Sequence, residues 1–401
     1  MSAVSLAPYR RALASRRLRT ILVLGTLVRG PVFASGVLIT VHVVTTLGYS
    51  YAAAGALAAA ATVAIAVSGP WRGRLLDRLG LRRVVLPSLL VAVVCWSIAP
   101  FVGYWPLLVL AVVAGLFVIP TFSITRQAVI ASVDETDRRT AISLDSAAIE
   151  LSFMIAPAIA VWAAAQWSTS WVLFATQMLA VLGGVLIWVV DPPLRGEGEV
   201  QVGDLVRVPV RSWFRLPFLA VCLAATASTL VLSGSDIGIV ATMRELDAVA
   251  QIGVVLALWG LGSLVGGLLY GAMARSISPF WLLGGLALAT APMALAGSVW
   301  GLAALGFLAG LLCAPTITAS VDQASRLVPA AVRGEAMGWH GSFLTTGGAL
   351  GAPIAGFAVD RGGPPAGFLV VALVGLLVAV AGVATQRARQ TARTRRQPAP
   401  Q

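Results

Sequence analysis

Of the 401 residues, 58% are apolar and only 11% are charged, under half the ~25% charge of an ordinary soluble domain. A run of ~20 apolar residues crosses a hydrocarbon core of ~30 Å, and twelve such runs need about 240 residues, which leaves room for loops and tails but not for a sizeable soluble domain. All 28 basic residues are arginine. Without lysine there is no G-x-x-x-x-G-K-[ST] phosphate loop and no Schiff-base amine, which excludes Walker-type ATPases and pyridoxal or retinal enzymes.

His42 and His340 are the only histidines, and Cys95, Cys222 and Cys313 lie far apart in apolar runs. That spacing predicts no zinc cluster, hydrolytic triad or disulfide framework. The chain is therefore read as not an enzyme, with no metal and no cofactor.

In chain order, apolar length bounded by polar or Gly/Pro breaks predicts twelve helical spans: 19–43, 51–74, 84–103, 106–125, 141–164, 170–190, 216–240, 248–270, 280–299, 301–323, 336–359 and 366–386. The first is too long for the core of a secretion signal, 7–15 residues, and stays a membrane helix. Arginine tests the count. The N-terminal arm, the second, fourth, eighth and tenth connections, the central loop and the tail hold every arginine except Arg29, Arg244 and Arg361. By the positive-inside rule that face is cytoplasmic, so both termini are expected there, in a multi-pass protein of the plasma (cell) membrane. The formal charge of +12 is then an orientation signal that also rests on anionic membrane lipids, and not a nucleic-acid footprint.

The chain contains itself twice. Pro120–Thr121, Arg138 and Ala141 recur as Pro315–Thr316, Arg333 and Ala336 at a constant offset of 195, and Ser35–Gly36 matches Ser233–Gly234. The expected domains are an N-terminal six-helix bundle over 1–190, a cytoplasmic central loop over 191–215, a C-terminal six-helix bundle over 216–386 and a disordered cytoplasmic tail over 387–401. In the loop, Asp191, Glu197, Glu199 and Asp204 precede Arg207, Arg211 and Arg215. A short surface helix near 206–214 is expected, limited by Pro209.

The stretch Gly73-Arg74-Leu75-Leu76-Asp77-Arg78-Leu79-Gly80-Leu81-Arg82-Arg83 between spans 2 and 3 resembles the loop 2–3 signature of the major facilitator superfamily, G-x-L-a-D-r-x-G-r-k. Gly73, Leu75, Asp77, Arg78, Gly80 and Arg82 match, and Leu81 stands where a basic residue is usual. The resemblance implies an all-α membrane protein, with 12 transmembrane helices in two pseudo-symmetric six-helix bundles. It also implies secondary transport by alternating access, with this loop as a conformational latch. Asp77 can present its carboxylate to helix N-terminal amides. The corresponding Gly271-Ala272-Met273-Ala274-Arg275 lacks the acid, so one latch is expected.

Span 5 is similar, with Ser152, Ala156, Pro157 and Ala160, to the glycine-containing pattern of drug/proton-antiporter members of that family. Span 11 repeats the spacing with Gly347, Gly351, Pro353 and Gly356. Small residues at this spacing let helices pack closely, and packing alone is the other reading of both.

A charge at mid-bilayer costs about 2.5–3.5 kcal/mol and is usually partnered or functional. Arg29 lies ~15 Å along span 1 and Glu150 ~14 Å along span 5, so a buried Arg29–Glu150 pair is expected. Two roles stay open for it: structural glue, or coupling in which rocking of the halves separates the pair and changes the carboxylate's proton affinity. Asp145 is expected to pair with Arg126 or Arg139, and Asp322 with Arg326. Asp236 either lines an outer vestibule or meets headgroup water. The family resemblance puts spans 1, 4, 7 and 10 around the cavity, with Arg29, Phe33, His42, Phe117, Phe122, Thr229, Ser233, Phe307 and Thr316 as neighbours of substrate.

The reading is a secondary active transporter of small molecules, a proton-coupled antiporter driving efflux of amphipathic, drug-like compounds. The proton is the expected coupling ion, and a monomer is expected. An importer or uniporter of a metabolite is the alternative within transport, and a non-transporting sensor or membrane enzyme the remote one.

Overall fold

The computed structural model describes residues 7–49, 51–194, 208–248, 251–273 and 275–394, and no strand occurs among them. Where no water reaches the backbone, each N–H and C=O must be satisfied within its own segment, and long apolar helices are the result. In the first half these are α1 (Ala7–Ala14), α2 (Arg16–Val41), α3 (Tyr51–Leu79), α4 (Leu81–Ile98), α5 (Tyr104–Leu116), α6 (Thr121–Ala131), α7 (Arg138–Gln166) and α8 (Thr169–Val190). Then follow α9 (Val210–Trp213), α10 (Leu216–Glu245), α11 (Ile252–Ala272), α12 (Pro279–Thr290), α13 (Val299–Leu327) and α14 (Arg333–Thr394).

Among the described residues, ten helices are long and apolar enough to cross a membrane, and Pro279–Leu295 is a shorter apolar one. The last of the ten, Ala330–Arg387, makes two passes. Its backbone breaks at Gly363, with φ of 73°, a conformation that glycine adopts without steric cost. A Cβ built on Gly367 would lie 2.7 Å from Val359 and 3.7 Å from the Ala355 carbonyl. A straight helix would carry those residues ~12 and ~18 Å away, so the chain doubles back.

Two predicted elements differ from what is found. The fourth span was expected to be continuous, but α5 stops at Leu116 and α6 starts at Thr121. Ile119 precedes Pro120, and a residue before proline is pushed out of the α region. Pro315, its repeat counterpart, stays inside α13. The tail, expected to be irregular from 387, continues α14 to Thr394, and residues 395–401 lie outside the described ones. In the central loop, Glu197, Glu199, Asp204 and Arg207 also lie outside them. The short helix there, α9, begins directly after Pro209, and Trp213 packs edge-on against Phe218 with ring centroids 5.2 Å apart.

The chain forms two compact units. The first comprises Met1–Arg207 with Leu268–Met273 and Pro329–Ser342; the second comprises Val208–Gly267, Ala274–Val328 and Phe343–Gln401. Inside the first, α2 packs chiefly on α7 and α8, α3 on α5, and α4 on α8. One apolar cluster gathers Leu38, Val43, Leu57, Leu107 and Leu173; another gathers Val28, Leu76, Val85, Ile124 and Ile187. Inside the second, α12 packs on α13, and α10 on both.

Candidate functional site

Three groups of polar contacts stand out in the first unit. The first is built on the end of α3. Gly69 and Gly73 face the start of α14 so closely that side chains would not fit. A Cβ on Gly69 would lie 2.8 Å from Ser342 Oγ, and one on Gly73 would meet the Gly334 carbonyl. One turn after Gly73, Asp77 accepts two backbone hydrogen bonds, Oδ1 from Gly334 N–H at 2.8 Å and Oδ2 from Glu335 N–H at 2.7 Å. Those amides open α14, where unpaired N–H groups and the helix dipole favour an anion. Arg74 Nη2 reaches Glu335 Oε1 at 2.6 Å.

Gly80 ends the motif at φ of 78°, the left-handed turn that starts α4. Arg82 bonds Asp191 at 3.1 Å and lies over Trp188. Arg78 is exposed. Arg72, one of the arginines that the sequence places around the second connection, is buried, 3% exposed. It donates to the Val84 carbonyl at 2.7 Å and to Ser88, and its guanidinium lies 5.7 Å from the ring of Phe117, where the fourth span breaks.

The second group lies inside the helices. Arg29, on α2, is 1% exposed and donates to Asp145 Oδ1 at 2.7 Å and to Thr125. Arg29 was expected to meet Glu150 and bonds Asp145 instead; Asp145, expected to pair with Arg126 or Arg139, gives its bond to Arg29 and acts on Arg126 only through space. Five residues separate Asp145 and Glu150 on α7, which turns their side chains roughly 140° apart. Equal depth therefore did not select the right face. Glu150 is half-buried and engaged elsewhere. Arg126, 4% exposed, donates to His340 Nδ1 at 3.3 Å. Phe122, one turn before it, has Arg29 at 5.7 Å and Arg126 at 5.6 Å from its ring centre. Gly25 lies against the same group: a Cβ there would lie 3.3 Å from Thr125 Cγ2, a tight contact, and 3.4 Å from the Arg29 guanidinium.

The third group is at the helix ends that α1 covers. Tyr9 donates to the Leu268 carbonyl, Thr140 to the Gly271 carbonyl at 2.7 Å, and Arg139 to the Met273 carbonyl. Arg11 bonds Asp137 at 3.0 Å. Burial raises the Tyr9 hydroxyl from 10.0 to about 12, against the opposing pull of Arg139. Sequence reasoning missed Tyr9 altogether, since nothing local marks its distant partner.

The remaining predicted residues fall elsewhere. Phe33 meets Phe153 edge-on at 5.5 Å, and Ala156 faces Gly30. With Pro31, Ala160, Trp167 and Trp171 these two border an apolar cavity of about 570 Å³. Pro157 lies within α7. His42, fully buried, opens a single turn of π-helix and bonds Thr169 at 3.0 Å.

In the second unit, Gly347 and Gly351 press α14 onto the Thr226 and Leu230 carbonyls of α10. Pro353 lies two residues further on, its side chain exposed. Thr229 donates to the Leu344 carbonyl at 2.8 Å. Asp322 accepts from Arg326 Nε at 3.0 and 3.1 Å. Asp236 is half-buried on α10, with no hydrogen-bond or ion-pair partner among the described residues. Among those residues, no three His, Cys, Asp or Glu come together as metal ligands.

Comparison with known proteins places this geometry. The family model described as Major Facilitator Superfamily matches residues 21–243 and again 218–401. No curated protein matches the sequence. Among solved structures, the human organic anion transporter MFSD10 (TETRAN) aligns at 16% identity over 92% of this chain and 99% of its own, with a TM-score of 0.66. The proton:xylose symporter XylE aligns at 13% identity over 91% and 94%, with a TM-score of 0.69. A bacterial homologue of the iron transporter ferroportin, in an outward-facing state, aligns at 15% identity over 92% and 100%, with a TM-score of 0.71. At such identities the likeness is one of fold.

Proposed function

The chain belongs to the Major Facilitator Superfamily, and from that premise we propose that it is a proton-coupled exporter of small amphipathic molecules, working by alternating access. As a member of that family it is a multi-pass membrane transporter of small molecules. Direction, coupling ion and substrate class are the steps taken beyond that. The neighbours of similar fold are an organic anion transporter, a proton:xylose symporter and a homologue of an iron transporter. The fold therefore hosts many solutes, and the solute must be argued from the site.

The observation that carries the reading is the buried ion pair Arg29–Asp145, 1% and 3% exposed, within helices long and apolar enough to span a bilayer. A pair so placed is costly to desolvate, and intramembrane ionisable residues mark ion and substrate pathways. Parting Arg29 from Asp145 would change how readily the carboxylate takes a proton, which is what coupling to a proton gradient requires. Glu150 and Asp236 are the other carboxylates on spanning helices proposed as proton carriers. Asp77, bound to the amides that open α14, serves as the latch that is made and broken in each cycle.

Efflux is supported by the small-residue pattern around Ala156 and Pro157, and an amphipathic substrate by the apolar cavity that Gly30, Pro31 and Ala156 border. We place the protein as a monomer in the plasma membrane with both termini cytoplasmic, in line with its arginine distribution.

The test is a screen of toxic amphipathic compounds in cells with and without the protein, followed by accumulation assays at controlled external pH. Lower accumulation in expressing cells, abolished by a protonophore, is the expected result. Equal accumulation in both cell types across the screen would refute export.

A further inference from the structure

The buried cluster in the first unit has one cation too many. Arg29 and Arg126 share the Phe122 ring, and the carboxylate of Asp145 is bonded to Arg29. Arg126 has one hydrogen bond among the described residues, to His340 Nδ1. An N–H donor at 3.3 Å requires a lone pair on that nitrogen, so the imidazole is neutral in this arrangement and supplies no negative charge. Asp322 and Glu335 hold Arg326 and Arg74 instead.

Arg126 thus keeps its charge at 4% exposure with no carboxylate bonded to it. Its Nε and Nη2 have no partner among the described residues, yet they are not among the sealed-in orphan atoms, so they border open space. Asp145, the acid nearby, is bonded to Arg29, and a desolvated guanidinium without a bonded acid of its own is costly. It is also a fork suited to two oxygens of one carboxylate, sulfonate or phosphate. Thr125 and Asp145 occupy Arg29, so Arg126 is the arginine free to change partners. Phe122 beside it offers an apolar face.

We propose that Arg126, with Phe122 as its apolar platform, is an anion-binding site, and that its ligand is an organic anion: an oxyanion carried on an apolar body. The proposal rests on the carrier reading only in making that ligand the transported substrate. Binding is measurable without transport.

The experiment is equilibrium binding to the full-length protein, purified in detergent and stripped of lipid. The probes are naphthalene-2-carboxylate and naphthalene-2-sulfonate, each beside its uncharged carboxamide or sulfonamide, and the corresponding trimethylammonium cation. A charge-assisted pair should make an anion bind more tightly than its neutral partner by on the order of tenfold or more. Arg126→Gln should remove that preference, and Arg126→Lys should retain part of it, in variants whose melting and gel-filtration profiles match the parent. Failure of both anions to exceed their neutral partners in the unaltered protein would overturn the proposal whether or not any variant folds. Loss of the anion preference alone would leave the carrier reading intact. Intact anion binding, with no solute movement in liposomes, would refute the carrier reading alone.

Discussion

Asp77 accepts the Glu335 amide at 2.7 Å while its neighbour Arg74 bonds the Glu335 carboxylate at 2.6 Å, so Glu335 is held by its backbone and by its side chain at once. The start of α14 therefore depends on two charges from one turn of α3. Losing a carboxylate cap costs roughly 0.5–2 kcal/mol. Asp77→Asn turns an N–H donor toward one of the two amides, and it should lower transport in proteoliposomes by on the order of tenfold. Arg74→Gln should cost less, because Arg74 is itself part-exposed and surface pairs contribute about 0–1 kcal/mol. Equal transport by Asp77→Asn and the parent would remove the latch from the account.

Close approach between α3 and α14 makes a second expectation. Gly73→Ala and Gly338→Ala place a methyl against backbone, 2.9 Å from the carbonyl carbons of Gly334 and Gly69, where nothing flexible can yield. Overpacking of this kind costs about 1–3 kcal/mol. Gly36→Ala, with nothing within 4 Å, serves as the control. Thermal unfolding in detergent should separate the two classes, and no difference between them would show that α3 and α14 do not meet this closely.

The Arg29–Asp145 pair should behave asymmetrically. Removing either partner leaves a buried charge uncompensated, at a cost of about 3–5 kcal/mol, whereas replacing both with apolar residues of similar size is often close to neutral. Arg29→Leu with Asp145→Leu should therefore regain most of the melting temperature lost by Asp145→Leu alone, yet transport no solute. Full transport by the double variant would reduce the pair to structural glue.

Coupling is tested at the carboxylates. Asp236→Asn and Glu150→Gln should be compared in vesicles with and without a pH gradient, together with Asp145→Asn. A coupling carboxylate should lose gradient-driven movement while keeping solute exchange at equal pH. If all three variants keep wild-type dependence on the gradient, these residues do not carry the proton.

The Tyr9 hydroxyl, raised from 10.0 to about 12, gives the α1 contact a defined pH dependence. Below pH 10 the hydroxyl is protonated whether docked or free, and the contact is at full strength. Above it the free form ionises first, so docking weakens as pH climbs towards 12. Proteolysis within α1 should accelerate across that window, and Tyr9→Phe should remove the pH dependence. An unchanged profile in Tyr9→Phe would assign it to another group.

Much of this architecture was legible because a bilayer imposes length and charge rules on each segment separately. The spans, the motif at Gly73–Arg82 and the intramembrane Arg29 are local signals of that sort. What stayed hidden depends on helix rotation and on distant partners. Depth along a helix could be counted, but the ~100° per residue that separates Asp145 from Glu150 acts only once the neighbouring helix is placed. Arg126 meets His340, 214 residues away, and no local pattern marks that pairing. Pro120 was a signal for the break after α5, yet Pro315 sits in an unbroken helix, so the residue type alone did not decide it.

The central claim is that this chain moves small molecules across a membrane using a gradient and no nucleotide. Its most direct test is purified protein in sealed liposomes under an imposed pH gradient without ATP, offered amphipathic anions, neutral compounds and cations in turn. Accumulation of at least one class beyond its equilibrium level, collapsed by a protonophore, is the expected result. No movement beyond that of protein-free liposomes for any class would contradict it.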